Sequence, residues 1–319
     1  MLINKTFHDI PTKLHANGKP IRIFVISPVV PDYPDAKFPG LAASRYCLIS
    51  HQLISWFHRG RVTGPVERFA GQIASQGFVV ACPSVYHEFE GPEAIPYDTE
   101  GTDRGNKYKV DILTALILNS IEKELAGYDE VSSYTVSGII SISDATLTID
   151  LLVSLKNCNG RIAATGMCLG GHLAAFDPRV LATVCFFATD IHSASLGKGK
   201  NDDTIIKVQK GDLKGKGELV VRPFEPKPLN DASNLGKDTH VTRQGRDLIR
   251  KTLEDANVPV SFLEVQAQHA FIRDEHSKGR WDAALTRSLF TFMMEVFERT
   301  VGRDLGRRVS QNTEPEHVC

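Results

Sequence analysis

The amino-acid sequence predicts an α/β fold, with a mostly parallel central sheet flanked by helices. Three observations carry that prediction. Runs of consecutive apolar residues, such as Phe78-Val79-Val80-Ala81-Cys82 and residues 180–187, have the length and composition of strands buried on both faces. Segments of helical periodicity alternate with these runs along the chain, which is how strand–helix–strand units read. Finally, 319 residues with 42% hydrophobic content can bury a large core, and the alternation continues without a break into a second unit. One domain is therefore expected over residues 1–302, with a polar tail over 303–319.

The elements follow in order. The first twenty residues are polar and hold no continuous apolar stretch, so no signal peptide is expected. Residues 21–26 read as an early strand, and a proline-broken loop runs from Pro28 to Pro39. Residues 41–61 pattern as a helix through Leu48, Ile49, Leu53, Ile54 and Trp56. Pro65 opens a helix that Gly77 ends, and the buried strand 78–82 comes next. A polar loop over 83–107 is long enough to form part of a site, with Tyr86 to Glu90 expected at its mouth. Helical patterns cover 110–125 and 147–155. Between them, 131–143 is serine-rich and β-branched. Arg161 to Thr165 form a buried strand, and 180–187 form the next. A further strand begins at 217–221, 245–253 is amphipathic, and 258–265 alternates as a strand. Residues 281–299 read as a terminal amphipathic helix.

Composition narrows the functions. The net charge is −1, from 37 basic and 38 acidic residues, so nothing favours a nucleic acid or an anionic membrane as partner. No apolar run approaches the ~20 residues of a membrane span. Six scattered cysteines show neither a C-x-x-C pair nor metal-ligand spacing, which fits a reducing, cytoplasmic setting and implies no metal. The oligomeric state is left open.

The chemistry-bearing motif is Gly166-Met167-Cys168-Leu169-Gly170-Gly171. It follows a strand and precedes residues 172–176, which pattern as a helix. Glycines flanking Cys168 permit a turn too tight for side chains, as in a G-x-nucleophile-x-G elbow with cysteine in the serine position. At a helix N-terminus the unpaired N–H groups favour a thiolate. The same turn also suits a small buried cysteine. Partners downstream favour chemistry. Asp238 lies before the amphipathic segment and His269 directly after the following strand, so nucleophile, acid and histidine stand in the chain order of α/β-hydrolases. Here Cys168 is the nucleophile, His269 the base, Asp238 its orienting acid and the Leu169 N–H an oxyanion donor. Asp231 and Glu225 compete with Asp238 as the acid.

With these three motifs, G-M-C-L-G-G, G-K-D-T-H-V and Q-H-A-F-I-R-D-E, the chain resembles the eukaryotic branch of the dienelactone hydrolase family over residues 24–302. The resemblance implies the α/β-hydrolase fold and a carboxylic ester hydrolase of the carboxymethylenebutenolidase type. Its substrate would be a small carboxylate-bearing ester or lactone, opened without a cofactor. It also implies a substrate-binding arginine at Arg273, to which the loop residue Arg104 is a second candidate; an arginine grips a carboxylate with two donors. The family carries a glutamate on the loop after its early strand. Here no glutamate precedes Glu67, and Asp32 and Asp35 are the nearby acids. A non-catalytic scaffold that binds a ligand or partner is therefore the alternative expectation.

Overall fold

The computed structural model describes residues 1–11, 19–46, 64–84, 86–92, 95, 100–101, 103–104, 136–168, 174–188, 191–193, 204–213, 220–223, 241–265, 267, 271–272 and 281–302. In chain order the elements are β1 (Leu2–Ile10), β2 (Ile21–Val29), β3 (Phe38–Tyr46), α1 (Gly64–Ser75), β4 (Val79–Pro83), α2 (His87–Glu90), α3 (Val136–Ser154) and β5 (Cys158–Cys168). There follow β6 (Val180–Phe186), α4 (Thr204–Lys210), β7 (Val220–Pro223), α5 (Arg243–Asp255), β8 (Phe262–Val265) and α6 (Ala283–Phe297).

The strands form one sheet in the order β1-β2-β4-β3-β5-β6-β7-β8. From β4 to β8 every neighbouring pair is parallel, while β2 runs antiparallel to both β1 and β4. Because both faces are covered, strand residues sort alternately into two cores. Phe24, Val80, Ala163, Val184 and Phe186 pack with α1 and α6 on one face. Ile23, Val79, Ala81 and Ile162 pack with Ile149 and Leu152 of α3 on the other. Next to these, Val208 of α4 and Ile249 and Leu253 of α5 form a third cluster around Cys185.

Three contacts set the helices on the sheet. Phe69 of α1 meets Phe290 of α6 edge-on, with ring centroids 5.8 Å apart. Thr165 of β5 donates to the Val184 carbonyl at 3.0 Å and lies 3.6 Å from the Met293 sulfur. Arg161, at the start of β5, donates to the carbonyls of Thr300 (2.7 Å) and Val301 (3.1 Å) in the turn that follows α6. A cation there satisfies carbonyls that a helix end leaves open.

Several elements differ from their sequence patterns. The polar N-terminus forms β1, an edge strand whose residues are mostly exposed, which is why no apolar run announces it. Residues 38–46, expected as the end of a loop and the start of the 41–61 stretch, are instead β3, set between β4 and β5. Leu48, Ile49, Leu53, Ile54 and Trp56, on which the helix expectation rests, lie outside the described residues. Pro39 is tolerated because the β3–β5 register breaks between Phe38 and Gly40, where no ladder donor is needed. Of the serine-rich stretch 131–143, residues 136–143 belong to α3, which runs Val136–Ser154. Residues 174–176 form a 3₁₀ turn rather than α-helix. β8 begins at Phe262, later than the pattern at 258, while 217–219, ahead of β7, lie outside the described residues. The expected helix over 110–125 lies outside the described residues.

Candidate active site

In a parallel sheet, ligands collect beyond the carboxyl ends of the strands, at the point where successive connections leave in opposite directions. Here that point falls between β3 and β5. The chain leaves β3 for β4 on one side, returns past β3 to form β5, and then proceeds through β6, β7 and β8 on the other. β5 ends at Cys168, whose backbone lies opposite Tyr46, the last residue of β3. On its other side Met167 pairs with Phe186, the last residue of β6. The strand beside Cys168 is thus β3, not the early strand 21–26. Of Cys168 only the backbone is described. Leu169, Asp238, His269 and Arg273 lie outside the described residues, as do the competing acids Asp231 and Glu225.

The chain on either side of those positions is fixed at this same edge. Phe271, two residues after His269, is fully buried, and its ring meets that of Phe187 at 6.0 Å. Phe187 directly follows β6 and holds a φ of 40°, a left-handed conformation uncommon for a bulky residue. The Phe271 carbonyl accepts from the backbone N–H of Asp282 (3.2 Å), and the Asp282 side chain in turn caps α6 by accepting from Leu285 N. Val241, three residues after Asp238, is 1% exposed and leads into Thr242, the N-cap of α5, whose hydroxyl accepts from Gly245 N at 3.2 Å. Gly245 has no room for a side chain: a Cβ there would collide with the imidazole of His192, on the chain that follows β6.

Arg104 is described, and its guanidinium is engaged by two carboxylates. Nε donates to Glu90 at 2.7 Å and Nη1 to Glu100 at 2.9 Å. Glu100 is 82% exposed, so the second bond is the easier one to exchange. His87, expected at the mouth of the site, is instead 1% exposed. Its Nε2 stands 3.4 Å from Oδ1 of Asp144 on α3, which is also buried. Burial raises the Asp144 carboxyl above its ordinary range, and the imidazole beside it opposes that rise. Charge counting cannot reveal this pair, because its members lie 57 residues apart and resemble solvated polar residues in the sequence. Among the described residues no group of three His, Cys, Asp or Glu side chains could hold a metal ion. No described helix is long and apolar enough to cross a membrane.

Comparison with known proteins agrees with this architecture. The model of the dienelactone hydrolase family matches residues 59–211. A Saccharomyces cerevisiae protein named "Putative carboxymethylenebutenolidase" is 46% identical over 324 residues, with 100% of both chains covered. Among solved structures, a "Putative Dienelactone Hydrolase" from Klebsiella pneumoniae superposes with a TM-score of 0.60 at 14% identity, covering 94% of this chain and 100% of that one. An α/β-hydrolase enzyme from a deep-sea metagenome library gives a TM-score of 0.51 at 14% identity over 94% of this chain and 99% of that one. At such low identity these structures speak for the fold alone, which is that of the α/β-hydrolases.

Proposed function

From the premise that this chain belongs to the dienelactone hydrolase family, a family of hydrolases, we propose that it is a cysteine-nucleophile hydrolase of lactones or esters that carry a carboxylate. One observation carries the reading: β5 ends at Cys168 beside the last residue of β3, at the reversal in strand order. The name of the yeast relative supports the substrate class.

His269 takes the proton from the Cys168 thiol, and Asp238 holds the resulting imidazolium in orientation. The thiolate adds to the ester carbonyl, and the Leu169 N–H receives the charge that develops on oxygen. Loss of one such donor in other enzymes costs about 100- to 1,000-fold in rate. The C–O bond then breaks, the leaving oxygen takes the proton from His269, and a thioester remains on Cys168. Water, giving a proton to His269, attacks the thioester. The C–S bond breaks, the product acid departs and the thiol regains its proton. Neither a metal nor an organic cofactor takes part in these steps. Arg273 holds the substrate carboxylate, and Arg104 joins it only by releasing Glu100.

Hydrolysis of a panel of lactones and aryl esters by the purified chain tests the reading. Cys168→Ala and His269→Ala are expected to lower kcat by at least about 1,000-fold while melting like the parent. Full activity in Cys168→Ala would overturn the mechanism. A Cys168 thiol inert to a reactive ester probe would favour the binding scaffold, the reading to which the lack of a glutamate before Glu67 points.

A further inference from the structure

Arg246 carries a buried cation that none of these steps uses. Its side chain is 9% exposed. Nε donates to Oε1 of Glu264 at 2.9 Å, and Nη1 donates to the carbonyl of Val241 at 3.1 Å. The Arg246 N–H donates to the Thr242 carbonyl at 3.0 Å, so this arginine belongs to the first turn of α5 and closes back on the residues that enter it. Glu264 lies in β8, with the guanidinium of Arg250 3.7 Å from the same oxygen and stacked 4.4 Å above the Phe262 ring. One planar guanidinium therefore joins the entrance of α5 to the last parallel strand.

The sequence gives these two ends their importance. Asp238 precedes Val241 by three residues, and His269 follows Val265, the last residue of β8, by four. Three residues reach at most about 10–11 Å, so a fixed Val241 carbonyl restricts where the Asp238 carboxylate can stand. Glu264 is 34% exposed, so solvent screens its attraction for Arg246, and the lost hydration of the buried guanidinium offsets part of the rest. What the pair supplies is a set spacing, and the two diverging donors of an arginine suit that task where a lysine point charge does not.

We infer that Arg246 is a positioning residue: it ties the Val241 end of the acid loop to Glu264 of β8, and so holds Asp238 at a set separation from the chain that carries His269. This rests on the triad reading above, and the test keeps the two apart. Arg246→Lys, Asp238→Ala and the double variant are assayed with an aryl acetate ester. Arg246→Lys is expected to lower kcat by about 10- to 100-fold, the scale of a misplaced catalytic group, and to leave KM within about twofold. In the Asp238→Ala background the same substitution should change kcat by less than about twofold, because it acts through the missing acid. Equal losses in both backgrounds, or none in either, would overturn the positioning role. Glu264→Gln keeps an acceptor for Nε without the charge and should give a smaller loss of the same kind.

Hydrogen exchange in the peptide covering residues 236–242 provides a readout independent of catalysis. Arg246→Lys should accelerate it while the peptide covering α6 is unchanged. Unaltered exchange with an active parent enzyme removes the inference alone. A parent that opens no ester, or a fully active Cys168→Ala, removes the triad reading and with it the catalytic purpose of Arg246.

Discussion

At the scale of single residues, space and charge decide which side chains are permitted. A Cβ on Gly40 of β3 would stand 2.7 Å from Cδ1 of Ile162 and 3.1 Å from the sulfur of Cys158, both on buried residues of β5. Gly40→Ala is therefore expected to cost about 1–3 kcal/mol in unfolding free energy, measured by chemical denaturation; an unchanged midpoint would mean that β3 and β5 are less closely packed. Asp144 provides a test through pH. Its folded-state pKa is raised by burial, so the unfolded chain gives up this proton first, near its ordinary value of 3.8. Stability from this group is complete below that value and is lost as pH climbs through the folded-state value. Asp144→Asn keeps a partner for His87 and abolishes the titration. Its stability relative to the parent should improve as pH rises past 3.8 and level off once pH exceeds the folded-state value. A flat difference would mean that the carboxyl titrates alike in both states. The end of β5 at Cys168 was legible from the sequence because flanking glycines interrupt a strand by their own physics. Arg246 and His87 were not, since a residue type does not disclose whether its polar atoms end up buried.

Among elements, legibility followed burial. The strands covered on both faces, β4, β5 and β6, appear as apolar runs, and α5 and α6 as amphipathic periods. β1 did not, because an edge strand with mostly exposed residues needs no apolar code. β3 was hidden by Pro39 and Gly40, residues that usually punctuate a loop; here one sits at a register break and the other makes room for Ile162. The first half of α3 was hidden by serines and β-branched residues, whose helix propensity is poor. Arg161 shows how elements distant in sequence are secured. Its guanidinium serves two carbonyls beyond α6, so Arg161→Ala should lower stability by about 1–3 kcal/mol. Exchange should accelerate first in the peptide covering residues 298–302. If the loss instead falls evenly over the sheet, the contact is not a local clasp.

For the molecule as a whole, three thiols report on cooperativity. Cys82, Cys158 and Cys185 lie in β4, β5 and β6, all buried, and burial pushes the Cys82 thiol up to about 12. If the sheet opens as one unit, a thiol reagent at mildly alkaline pH should modify all three at a single rate set by global unfolding. Earlier reaction at Cys158 would show that β5 frays on its own at its first residue. The bonds from Arg161 to the turn after α6 span 140 and 139 residues of chain, and this has a consequence during biosynthesis. At roughly 5–20 residues per second, a ribosome needs on the order of 7–28 s to supply the carbonyls that receive this guanidinium. Until then Phe69, Ala163 and Val184, once synthesised, lack the aromatic and methionine side chains of α6 that cover them. A nascent chain with an uncovered apolar face is a substrate for chaperones, and its yield in a cell-free translation system should depend on their supply.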